Sequence, residues 1–123
     1  MRYEYRTFII GQTPVTGAGC FDDFSPLDND GDAFDSRVRE YRFADTPGPL
    51  VSRPDIVELL TGFAGRVAAE LTAEKPYLDR YVIDTALDGN GDPVVIELNA
   101  ESNAGFYACQ PWLITQALAK LYP

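Results

Sequence analysis

Apolar and polar positions alternate over residues 3–10, where Tyr5, Thr7 and Ile9 are set against Glu4, Arg6, Phe8 and Ile10, and this period of two predicts an opening strand. Gly11-Gln12-Thr13-Pro14 predicts a turn, and residues 15–20 a returning strand weakened by Gly17 and Gly19. Over 21–50 no clean period holds, although 38–43 fits a short strand. Phe21, Phe24 and Phe34 are interleaved there with Asp22, Asp23, Asp28, Asp30, Asp32 and Asp35, which predicts a loop packed onto the domain rather than a free linker. Ser52-Arg53-Pro54-Asp55 reads as a helix start with a serine cap. Ile56, Leu60, Phe63, Val67 and Leu71 then recur at helical spacing, and Pro76 stops the helix near Glu74. A hairpin over 80–99 follows, then a small-residue loop. Pro111 opens a last helix whose apolar stripe is Ile114, Ala117, Leu118 and Leu121. The order β-β-loop-α-β-β-α predicts one α+β domain over 1–123, with an antiparallel or mixed sheet and helices on one face.

The hairpin carries the chemistry. Asn90-Gly91 is a strong signal for a two-residue type I′ turn, because both central residues of that turn need positive φ. A turn there sets Leu87 opposite Val94, Asp84 opposite Glu97 and Val82 opposite Asn99. Asp84 and Glu97 then form a non-hydrogen-bonded pair, the closer kind. Two like charges in that position destabilise the sheet unless something positive compensates them, and this points to a divalent metal. Alternation places Asn99 on the face of Glu97, and Arg80 and Val82 on the face of Asp84; Tyr81, Ile83, Val94, Ile96 and Leu98 form an apolar opposite face. Two carboxylates and an amide oxygen are hard ligands of the kind magnesium takes together with water and substrate phosphates. The competing readings are a solvent-exposed hairpin face with unrelated acids, or one whose acids are neutralised by Arg80 or another arginine.

Composition narrows the chemistry further. With 123 residues the chain can bury roughly two thirds of its unfolded surface, and 46% hydrophobic residues support a globular domain. It has no histidine, which excludes Ser-His-Asp and Cys-His catalysis and leaves acid–base work to carboxylate, lysine, tyrosine or cysteine. A net charge of −9 repels phosphate backbones and anionic lipid, so nucleic-acid and membrane partners are not expected. An acidic pocket still accepts a nucleotide when magnesium supplies positive charge. Cys20 and Cys109 form no C-x-x-C motif, the N-terminus has no apolar leader and no run reaches membrane-spanning length, so a cytoplasmic location is expected.

Asp84 followed, across a hairpin, by Glu97-Leu98-Asn99 resembles the magnesium-binding Asp…Glu-x-Asn signature of ATP-grasp carboxylate-amine ligases, and Glu4-Tyr5-Arg6-Thr7-Phe8-Ile9-Ile10-Gly11 resembles the strand that opens the second half of that fold. The resemblance covers nearly the whole chain in element order, but only the C-terminal, metal-bearing subdomain of the family. It implies ATP and Mg2+ (or Mn2+) as cofactors, with Asp84, Glu97 and Asn99 as metal ligands. Arg6 is implied as the catalytic, phosphate-contacting residue, with Glu4, Arg80 and Asn103 beside the nucleotide. The departures are an arginine position before the aspartate occupied by Val82, with Arg80 two residues further back, and a loop after Asn99 that lacks proline. The only lysines are Lys75 and Lys120, neither placed like the family's. The implied function is the metal- and nucleotide-binding half of a ligase, inactive alone, with a second copy or a separate polypeptide supplying the missing lobe. The other reading is a non-catalytic protein-binding or dimerisation module derived from the same fold.

Simpler roles compete at several positions. Arg6 can instead pair with Glu4 or another acid on its sheet face, and Asn103 and Gly105 can form a plain turn. Cys109, near a helix start, fits structural burial. Asp28-Asn29-Asp30-Gly31-Asp32 and Asp88-Gly89-Asn90-Gly91-Asp92 imitate the start of an EF-hand loop but lack its sixth-position glycine and twelfth-position glutamate, so both read as turns.

Overall fold

A computed structural model describes residues 2–19, 25–29, 31–43, 46–100, 105–106 and 108–122, with the side chains of 41–43, 46 and 47 outside that set. β1 (Arg2–Ile10) and β2 (Thr13–Ala18) form the opening hairpin. Gly11 and Gln12 both have positive φ, 58° and 72°, the pattern of a type I′ turn. The turn is therefore shorter than the sequence suggests, and Thr13 and Pro14 already belong to β2. Pro14 is tolerated because β2 is an edge strand and the β1–β2 register shifts between Phe8 and Ile9. A short 3-10 helix over Pro26–Asp28 leads to β3 (Arg37–Phe43), the short strand expected over 38–43, which pairs with β4 (Thr46–Ser52), where no strand is expected, as a separate two-stranded sheet.

β5 (Arg80–Leu87) and β6 (Pro93–Asn99) complete a four-stranded antiparallel sheet of order β2-β1-β5-β6. α1 (Pro54–Glu74) lies on one face of it. There Ala64 and Ala68 meet Ile9, Tyr81 and Ile83, while Val57 and Leu60 meet Tyr3, Tyr5 and Leu87. α2 (Pro111–Leu121) lies on the other face, where Ile114, Ala117, Leu118 and Leu121 pack on Phe8, Ile10 and Val82. Neighbouring strand residues point to opposite faces, so Ile9 and Ile10 cannot serve the same helix. The α+β class stands, but the helices flank the sheet instead of sharing the single face predicted for them.

Two local expectations also change. The residue capping α1 is Arg53, which makes no side-chain cap bond, while the Ser52 hydroxyl bonds that of Ser36 at 2.9 Å. Leu98 is 46% exposed on the edge strand β6 and Val95, not Val94, shares its face, so the apolar face of the hairpin is only part of the core.

The hairpin register holds at the site for a reason the sequence does not disclose. The β5–β6 connection is a three-residue loop, closed by the Asp88 N–H donating to the Asp92 carbonyl at 2.8 Å and the Gly91 N–H donating to the Asp88 carbonyl at 3.1 Å. Gly91 alone has positive φ, 81°, which fits a turn followed by a glycine bulge rather than the expected type I′ turn. Leu87 accordingly faces Pro93, one residue off the expected partner. A second irregularity between Asp84 and Thr85 inserts Ile96 as an extra residue and restores the count, so Asp84 faces Glu97 and Val82 faces Asn99 after all.

Candidate functional site

Pairing across three strands aligns Arg6, Asp84 and Glu97 in one row, since Arg6 is opposite Asp84 and Asp84 is opposite Glu97. The adjacent row on the same face carries Phe8, Val82 and Asn99. Arg6 grips Asp84 with two parallel bonds, Nε to Oδ1 at 2.8 Å and Nη2 to Oδ2 at 2.9 Å, and its Nη1 donates to the Gly105 carbonyl at 3.1 Å. The two side chains are only 8% and 6% exposed. The charge that compensates Asp84 is therefore an arginine on β1, the simpler of the readings open at sequence level. Bidentate geometry and burial make this a strong pair, and one that is costly to break from either side.

Glu97 lies outside this clamp. It is exposed and accepts a hydrogen bond from Asn99 Nδ2 at 2.7 Å. Glu4, two residues before Arg6, has its carboxyl pushed above the ordinary value, first by burial and then by repulsion from Asp84 and Glu97. Among the described residues Arg6 leaves the cluster acidic, since the carboxylates of Glu4, Asp84 and Glu97 share this face with its guanidinium. Arg80 is not brought to this row. It starts β5, four residues and about 13 Å of strand from Asp84, and its guanidinium lies 5.4 Å from the Tyr122 ring. Asn103 is outside the described residues.

Sequence reasoning missed the fastening of the segment above the site. Phe106 stacks on Phe8, with centroids 5.7 Å apart and planes 22° apart. The Thr16 hydroxyl donates to the Ala33 carbonyl at 2.5 Å and accepts the Gln110 N–H at 2.9 Å. Asn29 Nδ2 donates to the Ala108 carbonyl at 2.6 Å, and Gln110 Nε2 donates to Asn29 Oδ1 at 3.2 Å. No local motif announces the bonds of Thr16 and Asn29 to Ala108 and Gln110, because these span 79 or more positions. Cys109 in this segment is a buried free thiol whose pKa is raised by burial, which makes it a structural group. The Asp88 carboxylate is held below its ordinary pKa by backbone N–H donors from Asp92 and Asn90, which makes that motif a turn.

Glu97, Asp84 and the Asn99 amide offer oxygen atoms of the kind a hard cation takes, but both oxygens of Asp84 are held by Arg6. Among the described residues no group of three or more His, Cys, Asp or Glu side chains is arranged to hold a metal ion. A magnesium ion here would complete its shell with water and ligand phosphates, its usual habit. A groove of about 440 Å³ between α2 and the β1–β2 turn and another of about 300 Å³ beside the start of α1 are not lined by Arg6, Asp84 or Glu97. No helix among the described residues is long and apolar enough to cross a membrane. No protein-family model, curated protein or solved structure matches the chain significantly.

Proposed function

We propose that the face carrying Arg6, Asp84, Glu97 and Asn99 is the magnesium- and phosphate-binding half of an ATP-grasp-type ligase. Such an enzyme activates a carboxylate as an acyl phosphate for attack by an amine or similar nucleophile. The observation that carries this reading is the direct cross-strand opposition of Arg6, Asp84 and Glu97, with Asn99 in the next row of the same face. A bound divalent ion supplies charge neutralisation between phosphate oxygens and the carboxylates. The chain's own groups do the rest. Glu97 and Asn99 are the accessible donors, Arg6 would meet phosphate only by leaving Asp84, and Glu4 adds negative charge that favours a metal. Adenine is gripped by a lobe that a partner supplies, either a second copy or a separate polypeptide, so the chain alone shows little ATP turnover.

The full charge pairing of Asp84 by Arg6 favours a second reading, a non-catalytic module that keeps the ancestral face for protein binding. The two readings separate in a thermal melt at constant ionic strength. On the first, millimolar Mg2+ or Mn2+ raises the melting temperature, ADP with the metal raises it further, and Glu97→Gln, at an exposed position, removes most of the response without impairing folding. A melt indifferent to divalent ions and nucleotide removes the ligase reading and leaves the module.

A further inference from the structure

We infer that β6 is an open sheet edge that takes up an extended segment of another polypeptide as an added strand, and that this segment alternates basic with apolar residues. The inference goes beyond the metal-and-phosphate reading and does not depend on it.

The two edges of the central sheet are finished differently. β2 is covered on its outer side, where the Gly17 N–H donates to the Ala33 carbonyl at 3.0 Å and the Asp35 N–H donates to the Gly17 carbonyl at 3.0 Å. β6 has β5 as its single neighbour among the described strands, so its outward N–H and C=O groups form a template for pairing. It also lacks most of the features that blunt an edge. Pro93–Asn99 contains no lysine, its proline is the first residue, and the extra Ile96 is its one irregularity.

Side chains around this edge say what fits it. Thr85 is opposite Val95 and Ile83 opposite Leu98, which puts two exposed apolar side chains on the α1 side. A side chain at Gly65 would meet Pro14 of β2, and Thr61 shares a groove with Phe34. Helical rotation then places Leu59 and Phe63 on the other flank of α1, toward β6, and Leu59 is exposed. The opposite side of the edge is ionic. Along the row Arg6, Asp84, Glu97, the arginine neutralises Asp84, whereas Glu97 is exposed and has no ion-pair partner among the described residues. The next place in that row, on an added strand, suits a cation, because opposite charges directly across a strand pair stabilise it. The neighbours of that cation point the other way, against Val95, Leu98 and the flank of α1. A second copy fits less well, since joining two β6 edges brings together two chains of net charge −9 and two Glu97 side chains.

Metal-free 15N-labelled protein, in a chelating buffer, is titrated with short capped peptides. One alternates lysine and valine. Another is the same peptide N-methylated at every residue, which keeps the charge but cannot donate to a strand, and a third has glutamate for lysine. Strand addition predicts that the lysine peptide shifts the resonances of β6, Leu59 and Phe63. It also slows exchange of those β6 amides that are unprotected in the free protein, by about tenfold at about nine-tenths saturation. The N-methylated and glutamate peptides do neither, and Glu97→Lys reverses the preference between lysine and glutamate. Equal binding of the N-methylated peptide reveals a charge contact without strand pairing and overturns the proposal. So does a β6 that ignores the lysine peptide at millimolar concentration. Outward β6 amides already protected before peptide is added, in a chain that sediments as a dimer, give the edge to a second copy and overturn it as well. With no metal present, none of these outcomes decides the ligase reading, which stands or falls on its own melt.

Discussion

The two faces of the central sheet are built from the same strands on different principles. Under α1 the contacts are mostly apolar, with Ile9, Tyr81 and Ile83 against two alanines that let the helix approach closely, and the buried Thr7 and Thr85 are neutral. The opposite face divides. At one end α2 covers Phe8, Ile10 and Val82, and at the other the sheet buries the ion pair of Arg6 and Asp84 beside Glu4 and Glu97. Burying apolar area stabilises without demanding a partner, whereas a buried ion pair gains little over a well-packed apolar pair of the same volume. The first face and the α2 end of the second carry the apolar burial that stabilises the fold, and the ionic end of the second calls for a functional explanation.

The largest test of that contrast removes one half of the pair. Asp84→Leu or Arg6→Met alone strands a buried charge and should cost about 3–5 kcal/mol in urea unfolding. The double variant Arg6→Met/Asp84→Leu should recover most of the loss and lose any response to divalent ions. Like-charge repulsion between Asp84 and Glu97 taken by itself gives the opposite sign for loss of the Asp84 charge. It is the bidentate contact from β1 that reverses it. A double variant as unstable as the single ones would show that the pair holds the fold, and the contrast between the faces would fail.

A smaller effect is expected beneath α1. Ile83→Val removes one methylene from a fully buried side chain and should cost about 0.5–1.5 kcal/mol. Its value should be the same with and without magnesium, because Ile83 points away from the acidic face. A magnesium-dependent loss would mean that the two faces are coupled through the sheet.

How much of this is legible in the sequence depends on the range of the interaction. α1, α2 and the opening hairpin follow from local periodicity and from proline stops, and the structure has them close to where the pattern puts them. β4 escapes notice because Thr46-Pro-Gly-Pro carries breakers that only a bulged edge pairing tolerates. The opposition of Asp84 and Glu97 is correctly anticipated, although from a turn that does not form, since a glycine bulge in the loop and the extra Ile96 cancel in the count. Arg6 on Asp84 is beyond local pattern altogether, for the partners are 78 positions apart and meet only because β1 lies beside β5. The placement of the two helices on opposite faces has the same origin. Periodicity shows that a helix has an apolar stripe but not which side of a sheet will cover it.

The smallest expected effect concerns Glu4 and carries a definite sign with pH. Its carboxyl is raised above the ordinary value by burial and by the charges of Asp84 and Glu97, so its protonated form is favoured more in the folded protein than in the unfolded chain. The stability linked to that proton is present below the unfolded value, near 4.5, and is lost as pH rises through the higher folded value. At neutral pH Glu4 is ionised in both states and its repulsion is fully felt. Glu4→Gln should therefore raise the metal-free melting temperature at pH 7, and the gain should shrink through the window above pH 4.5 and disappear below it. Asp55 and Asp88, whose carboxyls are held low, lose stability with acid in both proteins, so their contribution cancels in the difference between the two curves. A difference that is flat with pH, or a variant less stable at pH 7, would mean that Arg6 neutralises the whole face. In that case there would be no residual negative charge to draw a cation, and the acidic end of the sheet would be only a buried ion pair.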